Sequence, residues 1–304
     1  MATVQGEIAA RAGFPTAARS SARRRRVAVA LLVGPAVLLV GGALLVPAAN
    51  LLVQSFLESQ GYGQLTYHFT VSNYVDALSD PVYRSVAWRS LALGAAAALI
   101  CVAAAYPVAF FITFRLRRAR NIALFLIVVS LFTSYLVRLY AWYTILGEHG
   151  VINSALVRLG VVEHPLLFLL FNRTAVLVAF VNVFLPYSVL MLASAMQNIR
   201  PDLLENARDL GANPLRAFSR VVLPLTMTGA VAAFTYTFIL TSGDYITPAL
   251  LGGTSGSTSL ANIVSENFVA LGSRPAGAAI SFVMLVIFLG VYLALSRLER
   301  FKGI

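Results

Sequence analysis

Six stretches of this chain stay apolar over the length that a membrane crossing requires, and short polar connections separate them. The hydrocarbon core is about 30 Å thick and a helix rises about 1.5 Å per residue, so about 20 mostly apolar residues cross it. The stretches fall at 27–56, 86–114, 121–146, 174–196, 225–246 and 276–296. The pattern predicts an all-α, polytopic membrane protein with six transmembrane helices.

Composition excludes the main alternative. Of 304 residues, 59% are hydrophobic and 12% are charged, with a mean hydropathy of +0.81. Soluble domains carry about 25% charge, so a water-soluble enzyme is ruled out. The net charge of +11 is read as a membrane-surface feature, with no nucleic acid as partner.

The placement of that charge sets orientation. Arg11, Arg19 and four consecutive arginines at 23–26 precede the first stretch. Arg115, Arg117, Arg118 and Arg120 follow the second, and Arg200, Arg208, Arg216 and Arg220 follow the fourth. With Arg297, Arg300 and Lys302 in the tail, 17 of the 23 basic residues lie on one side. The positive-inside rule then places both termini in the cytoplasm. The apolar run 27–46 is longer than the core of a signal peptide and is read as an uncleaved span. Residues 1–26 are expected to be a disordered basic cytosolic arm near anionic lipid, and 27–304 the six-helix domain.

No catalytic constellation is visible. Cys101 stands alone, and His68, His149 and His164 share no metal-ligand spacing, so no metal site is expected. The chain has no P-loop, His-Glu-x-x-His or Gly-x-Ser-x-Gly. No cofactor is expected in this chain, and energy for any transport has to come from a partner or an ion gradient.

One connection carries more local order than a linker needs. In 197–224, Pro201 suits a first helical position, and Asp202 and Glu205 suit the positive end of the dipole. Leu203, Leu204, Ala207 and Leu210 fall on one face. Gly211 is placed to cap the helix left-handed, Asn213-Pro214 starts a second helix and Pro224 ends it. Two short helices joined by a sharp bend read as a cytoplasmic docking surface.

This segment, Glu205-Asn-Ala-Arg-Asp-Leu-Gly211-Ala followed by Val-Val-Leu-Pro224, resembles the EAA loop of binding-protein-dependent ABC importer permeases. It departs once, with Asn206 where alanine is usual. Over about 70–300, Asn73-Tyr-Val, Asp80-Pro-x-Tyr, Tyr106-Pro-x-Ala-Phe, Thr133-Ser-Tyr-Leu-Val-Arg-Leu-Tyr and Pro248-x-Leu-Leu-Gly-Gly are similar to spermidine/putrescine-type permeases, the first of the paired subunits. Importers for iron(III), opines and aminophosphonates share several of these features.

The resemblance implies a type I ABC importer permease fold in a bacterial inner membrane. It implies a second homologous permease, a cytosolic ATPase dimer that binds ATP and Mg, and an extracytoplasmic solute-binding protein as partners. Glu205 would meet a basic residue of the ATPase and Gly211 would allow the bend. Ala207, Leu210 and Ala212 would pack into its groove, with Asp209 in the same segment. A polyamine is the expected solute, and another small solute is the alternative. A stand-alone secondary transporter would want mid-membrane carboxylates and inverted repeats, which the spans lack.

For the translocation path, Asp244 and Tyr245 stand near the outer end of the fifth stretch. Asp244 reads equally as an attractor of a polyamine and as an Asx-type helix terminator. Glu266 and Glu148 are weaker candidates. Tyr143, with Tyr140 and Trp142, lines the path or belongs to the outer aromatic belt. Arg138, counted along an unbroken helix from Asn121, falls near the outer interface and is read as snorkelling or as an inter-subunit contact rather than as a substrate contact. Pro47, Pro107 and Pro186 are placed to bend their helices. The outer connection 247–275, with its glycine-rich stretch 250–257, reads as a flexible connector or as a re-entrant or docking segment.

Overall fold

The computed structural model describes residues 16–59, 65–116, 118–253 and 257–301. The chain divides into two compact units, 1–54 and 55–304. The first contains nearly all of α1 (Thr16–Ser55), whose stretch Leu31–Ser55 is long and apolar enough to cross a membrane. The expected disordered arm lies outside the described residues up to 15, and from Thr16 the chain is helical.

The second unit opens with an antiparallel ribbon, β1 (Leu57–Ser59) with β2 (Leu65–Phe69), and a short helix α2 (Ser72–Ser79). Asn73 Nδ2 donates to the carbonyls of Ser55 and Leu57 at 3.0 and 2.9 Å, and Tyr74 Oη shares a 2.7 Å hydrogen bond with Ser55 Oγ. Asp80 caps the next helix, accepting from Val82 N at 2.7 Å with Pro81 in the first turn. The motif residues Asn73 and Asp80-Pro81 therefore shape the entry into α3 (Pro81–Phe110), which continues as a π turn, Phe111–Arg115.

After α3 come α4 (Arg120–Leu131), α5 (Tyr135–Leu146), α6 (Val151–Arg158) and α7 (Arg173–Gln197). Buried Asn153 pins the connection before α7, donating to Gly147 and Leu166 carbonyls at 3.1 and 3.2 Å and accepting from Leu166 N at 2.8 Å. Next are α8 (Pro201–Asp209), α9 (Pro214–Ala217), a π turn at Phe218–Val222, α10 (Leu223–Leu225) and α11 (Met227–Ser242). The chain ends with α12 (Ile246–Leu251), α13 (Leu260–Val269) and α14 (Arg274–Phe301).

Among the described residues four helices are long and apolar enough to cross, and two bent pairs raise the total to six. The third predicted stretch is one of these pairs: α4 and the segment from Tyr135 meet at 85°. Each 12-residue half is about 18 Å long, too short to cross alone. Ser134 is extended at the break, and Arg138 donates from its guanidinium to the Ser130 carbonyl. That bond adds a side-chain donor to a carbonyl of the helix end, which also accepts from Thr133 N at 3.4 Å. The snorkelling position for Arg138 presumed an unbroken helix, and the bend removes that premise.

The other pair joins the second helix of the 197–224 loop to the fifth predicted stretch, and its bend falls beside Pro224, where a break was expected. The helical run Pro214–Leu225 and α11 meet at 69°, and Leu225 belongs to the segment before the bend. Pro107 and Pro186 stay inside continuous helices, as Pro47 does in α1; both sharp bends fall elsewhere. The connection 247–275 is mostly α12 and α13, with Leu251, Leu260 and Ile263 buried and Ser259 and Asn262 forming a capping box. It is folded against its own unit, while 254–256 of the glycine-rich stretch lie outside the described residues.

The core sits among α3, α7 and α11, and its contacts are made by small residues. α3 buries Ser90, Gly94, Ala97, Ala98, Cys101, Ala105 and Ala109. A Cβ on Gly94 would stand 2.0 Å from Ser242 Oγ and 3.2 Å from Ser242 Cβ. In lipid no hydrophobic drive separates helix from solvent, so association depends on close packing and interhelical hydrogen bonds. Ser90 Oγ donates to the Ser242 carbonyl at 3.3 Å, and Ser188 and Thr237 hydroxyls meet at 3.3 Å.

The same closeness yields a test. A Cβ on Gly229 would stand 2.5 Å from Ala195 Cβ, an atom that cannot rotate away. Gly229→Ala should destabilise the purified protein by about 1–3 kcal/mol. Ala195→Gly in the same chain should recover most of that loss, read by thermal unfolding in detergent.

Candidate functional site

The loop between α7 and α11 folds as its local signals dictate. Asp202 sits in the first turn of α8, where its own backbone amide and then Arg200, 2.5 Å away, hold its carboxyl below the usual carboxylate range. At the other end Gly211 has φ +80°, and Ala212 N donates to the Ala207 carbonyl at 2.9 Å. This is the six-to-one bond of a Schellman ending. Asn213 Oδ1 then accepts from Arg216 N at 2.8 Å and Pro214 opens α9.

The expected single apolar face is divided by this bend. Leu204 is 6% exposed and packs in the cluster of Met196, Ile199 and Val222. Leu210 lies beyond the last residue of α8, where the turn carries it outward to 89% exposure. Glu205 and Asp209 are exposed, and Ala207 and Ala212 are half-buried. The loop is thus anchored by Leu204 and presents Glu205, Asp209 and Leu210 on its surface.

A Cβ on Gly211 would meet nothing within 4 Å, so the backbone alone restricts this position. A left-handed conformation costs an ordinary L-residue about 1–2 kcal/mol, and asparagine tolerates it. Gly211→Val should speed exchange of the Ala212 amide about tenfold. Gly211→Asn should leave it near the native rate, both followed by hydrogen exchange.

From this loop a polar link runs to α3. Thr226, fully buried at the 69° bend, donates to the Val222 carbonyl at 2.8 Å and meets Tyr106 Oη at 3.2 Å. The Tyr106 ring sits edge-on to Phe218 at 5.5 Å.

At the far end of α11 Asp244 gathers a second polar group. Its Oδ1 accepts from Ile246 N at 2.9 Å and its Oδ2 from Thr247 N at 3.3 Å. The hydroxyls of Tyr135 and Thr247 also donate to Oδ2, and Ser259 Oγ donates to the Asp244 carbonyl at 3.0 Å. Tyr135 is the first residue of α5, so one carboxylate joins the break in the third stretch to the end of the fifth. Both oxygens are occupied, in the arrangement of an Asx-type helix start.

The other path candidates do not join this group through side-chain contacts. Tyr245 is 47% exposed and lines a separate cavity of about 470 Å³ with Ser265 and Phe288, while its carbonyl accepts from Asn262 Nδ2 at 2.8 Å. Glu266 and Glu148 are exposed. Tyr143 packs edge-on against Phe171 at 6.1 Å. Tyr135, Thr247, Ser259 and Thr226 were missed in the sequence. Tyr135 and Asp244 are 109 positions apart, and no local spacing connects them.

Comparison with known proteins agrees with this architecture. The chain is 33% identical over 261 residues to the spermidine/putrescine transport system permease protein PotB of Haemophilus influenzae, covering 85% of this chain and 90% of that protein. It is 32% identical over 259 residues to PotB of Escherichia coli K12, covering 84% and 93%. A chain of a bacterial ABC transporter involved in import of the acidic polysaccharide alginate superimposes with a TM-score of 0.74 over 94% of this chain and 99% of that one, at 17% identity. That likeness shows the fold alone. Residues 102–302 match the family described as binding-protein-dependent transport system inner membrane component. With helices able to cross a membrane and these relatives, the chain belongs to that family: it is a multi-pass inner-membrane permease subunit of an ABC transporter, a transport component rather than an enzyme.

Proposed function

We propose that this permease carries a polyamine of the spermidine/putrescine class, with both termini in the cytoplasm. It would pair with a second homologous permease, bind a cytosolic ATPase dimer through 197–224 and receive solute from an extracytoplasmic binding protein. Supporting the ATPase contact is one observation above the others: a loop anchored by Leu204 holds Leu210 and Glu205 out from the chain's own surface. An apolar side chain 89% exposed beside carboxylates suits a partner that offers an apolar groove with a basic rim. Supporting the solute is the similarity to permeases named for spermidine and putrescine over most of both chains.

The partner ATPases would hold ATP and Mg and supply the driving closure. What this chain contributes is a lever. A push on α8 reaches Met196 and Val222 through Leu204, and Phe218 and Thr226 pass it to Tyr106 on α3. The same displacement turns α11 at its lower bend, and Asp244 transmits that turn to Tyr135 at the break in the third span. The two bends are connected through the length of α11 and the Tyr135–Asp244 hydrogen bond, a contiguous path of the kind that coupling between distant sites uses.

The solute assignment is tested by titrating the binding protein that co-purifies with this chain. Spermidine or putrescine should give saturable heat by calorimetry. Saturation by an aminophosphonate or an iron(III) chelate instead, with no response to either polyamine, would replace the polyamine assignment and keep the importer.

A further inference from the structure

Between the end of α3 and the second half of the coupling loop lies a cavity of about 760 Å³. Tyr106, Phe110, Leu215, Phe218 and Leu223 form its apolar wall, and Arg115 is the charged residue of the lining. Both π turns border it: Arg115 ends the first and Phe218 begins the second. Phe110 and Phe218 stand edge-on at 6.2 Å across it. π turns are uncommon and occur often at functional sites.

The charge on the lining is basic and unpaired. Arg115, which lines the cavity, is exposed, and so are Arg118, Arg216 and Arg220, which lie close to lining residues in the chain. Ion pairs among the described residues are His68 with Glu58 and Arg200 with Asp202, so none of these four arginines is matched by a carboxylate. Arg120 Nε, just after Arg118 in the chain, is buried without a hydrogen-bond partner. An aromatic and aliphatic slot that carries one unpaired guanidinium, with other unpaired arginines nearby in the chain, matches one ligand chemistry: an acyl chain ending in a phosphate. Basic pockets between helices on the cytoplasmic side bind anionic headgroups, and guanidinium pairs with phosphate in bidentate geometry.

We propose that this cavity is a binding site for an anionic phospholipid of the cytoplasmic leaflet, with one acyl chain against Phe110 and Phe218 and the phosphate on Arg115. The proposal goes beyond the transport reading and takes from it only the side of the membrane. Leu215 and Phe218 belong to the coupling segment, so a bound lipid braces the lever at its root and makes coupling sensitive to lipid charge.

The test is native mass spectrometry of the full chain with its co-purified partners. The probes are dioleoyl phosphatidylglycerol, dioleoyl phosphatidylcholine and glycerol 3-phosphate. Phosphatidylglycerol should be retained well above phosphatidylcholine of the same chains, and glycerol 3-phosphate should not be retained. Arg115→Gln should weaken phosphatidylglycerol about fivefold, with Arg115→Lys recovering part of it. Leu215→Trp, which fills the slot, should remove it. Equal retention of the two lipids, retention of glycerol 3-phosphate alone, or no adduct would overturn the proposal. So would retention by the isolated chain but not by the assembly, because a partner subunit would then own the cavity. The wild-type comparison decides even if a variant fails to fold, and none of these readings depends on ATPase activity or on the transported solute.

Discussion

Leu210→Asp will abolish uptake while leaving the membrane bundle intact. Leu210 is 89% exposed and lies past the end of α8, so the substitution removes no packing within this chain. In the proposed docked state a carboxylate at this position loses its water without gaining a partner. Truncation of a central apolar anchor typically costs about 2–4 kcal/mol of binding, which is about 30- to 1,000-fold. Glu205→Arg should act at the same surface through charge, repelling the basic contact it is proposed to meet. For both variants solute uptake and ATPase co-purification should fall together, with membrane insertion and unfolding temperature unchanged. Leu204→Ala should behave differently. It opens a cavity in the cluster of Met196, Ile199 and Val222, and lowers stability as well as coupling. Normal uptake by correctly inserted Glu205→Arg and Leu210→Asp would remove the docking role.

Asp244→Ala should destabilise the protein by about 3 kcal/mol. The carboxylate serves the amides of Ile246 and Thr247 and the hydroxyls of Tyr135 and Thr247, and deleting it leaves these donors without their acceptor. Asp244→Asn keeps one acceptor oxygen and should lose less. Tyr135→Phe removes one donor, and its effect should be non-additive with Asp244→Asn, since neighbours in one network couple. Thermal unfolding of the purified variants measures all three. The outcome separates two roles that the sequence left equal. A carboxylate that ends one helix, starts the next and ties them to the break in the third stretch loses stability first. A carboxylate whose task is to attract a cation loses uptake at unchanged stability.

The coupling loop was legible because its instructions are local. Pro201, Gly211 and Asn213-Pro214 each restrict the backbone within a few residues, and the structure places a helix start, a left-handed turn and an N-cap at those positions. The six apolar stretches were legible for a similar reason, since bilayer thickness fixes their length. The bend at Thr226 lies beside Pro224, where a break was expected, but the bend in the third stretch was not legible. Phe132, Thr133 and Ser134 contain neither proline nor glycine, and the break there is held by tertiary partners, with Arg138 on the Ser130 carbonyl and Tyr135 on Asp244. The proline at 107, the obvious local signal for a bend, sits inside an unbroken helix. The division of the loop's apolar face was hidden as well, because helical spacing cannot know that α8 stops at Asp209 and releases Leu210.

The central claim is that this chain is driven by an ATPase seated on 197–224. It is tested most directly by recovering the tagged chain gently from native membranes and identifying its companions. Wild-type chain should bring down a P-loop ATPase and a second permease, and Leu210→Asp should bring down the permease without the ATPase. A chain recovered alone, with uptake driven by a proton or sodium gradient, would contradict the account.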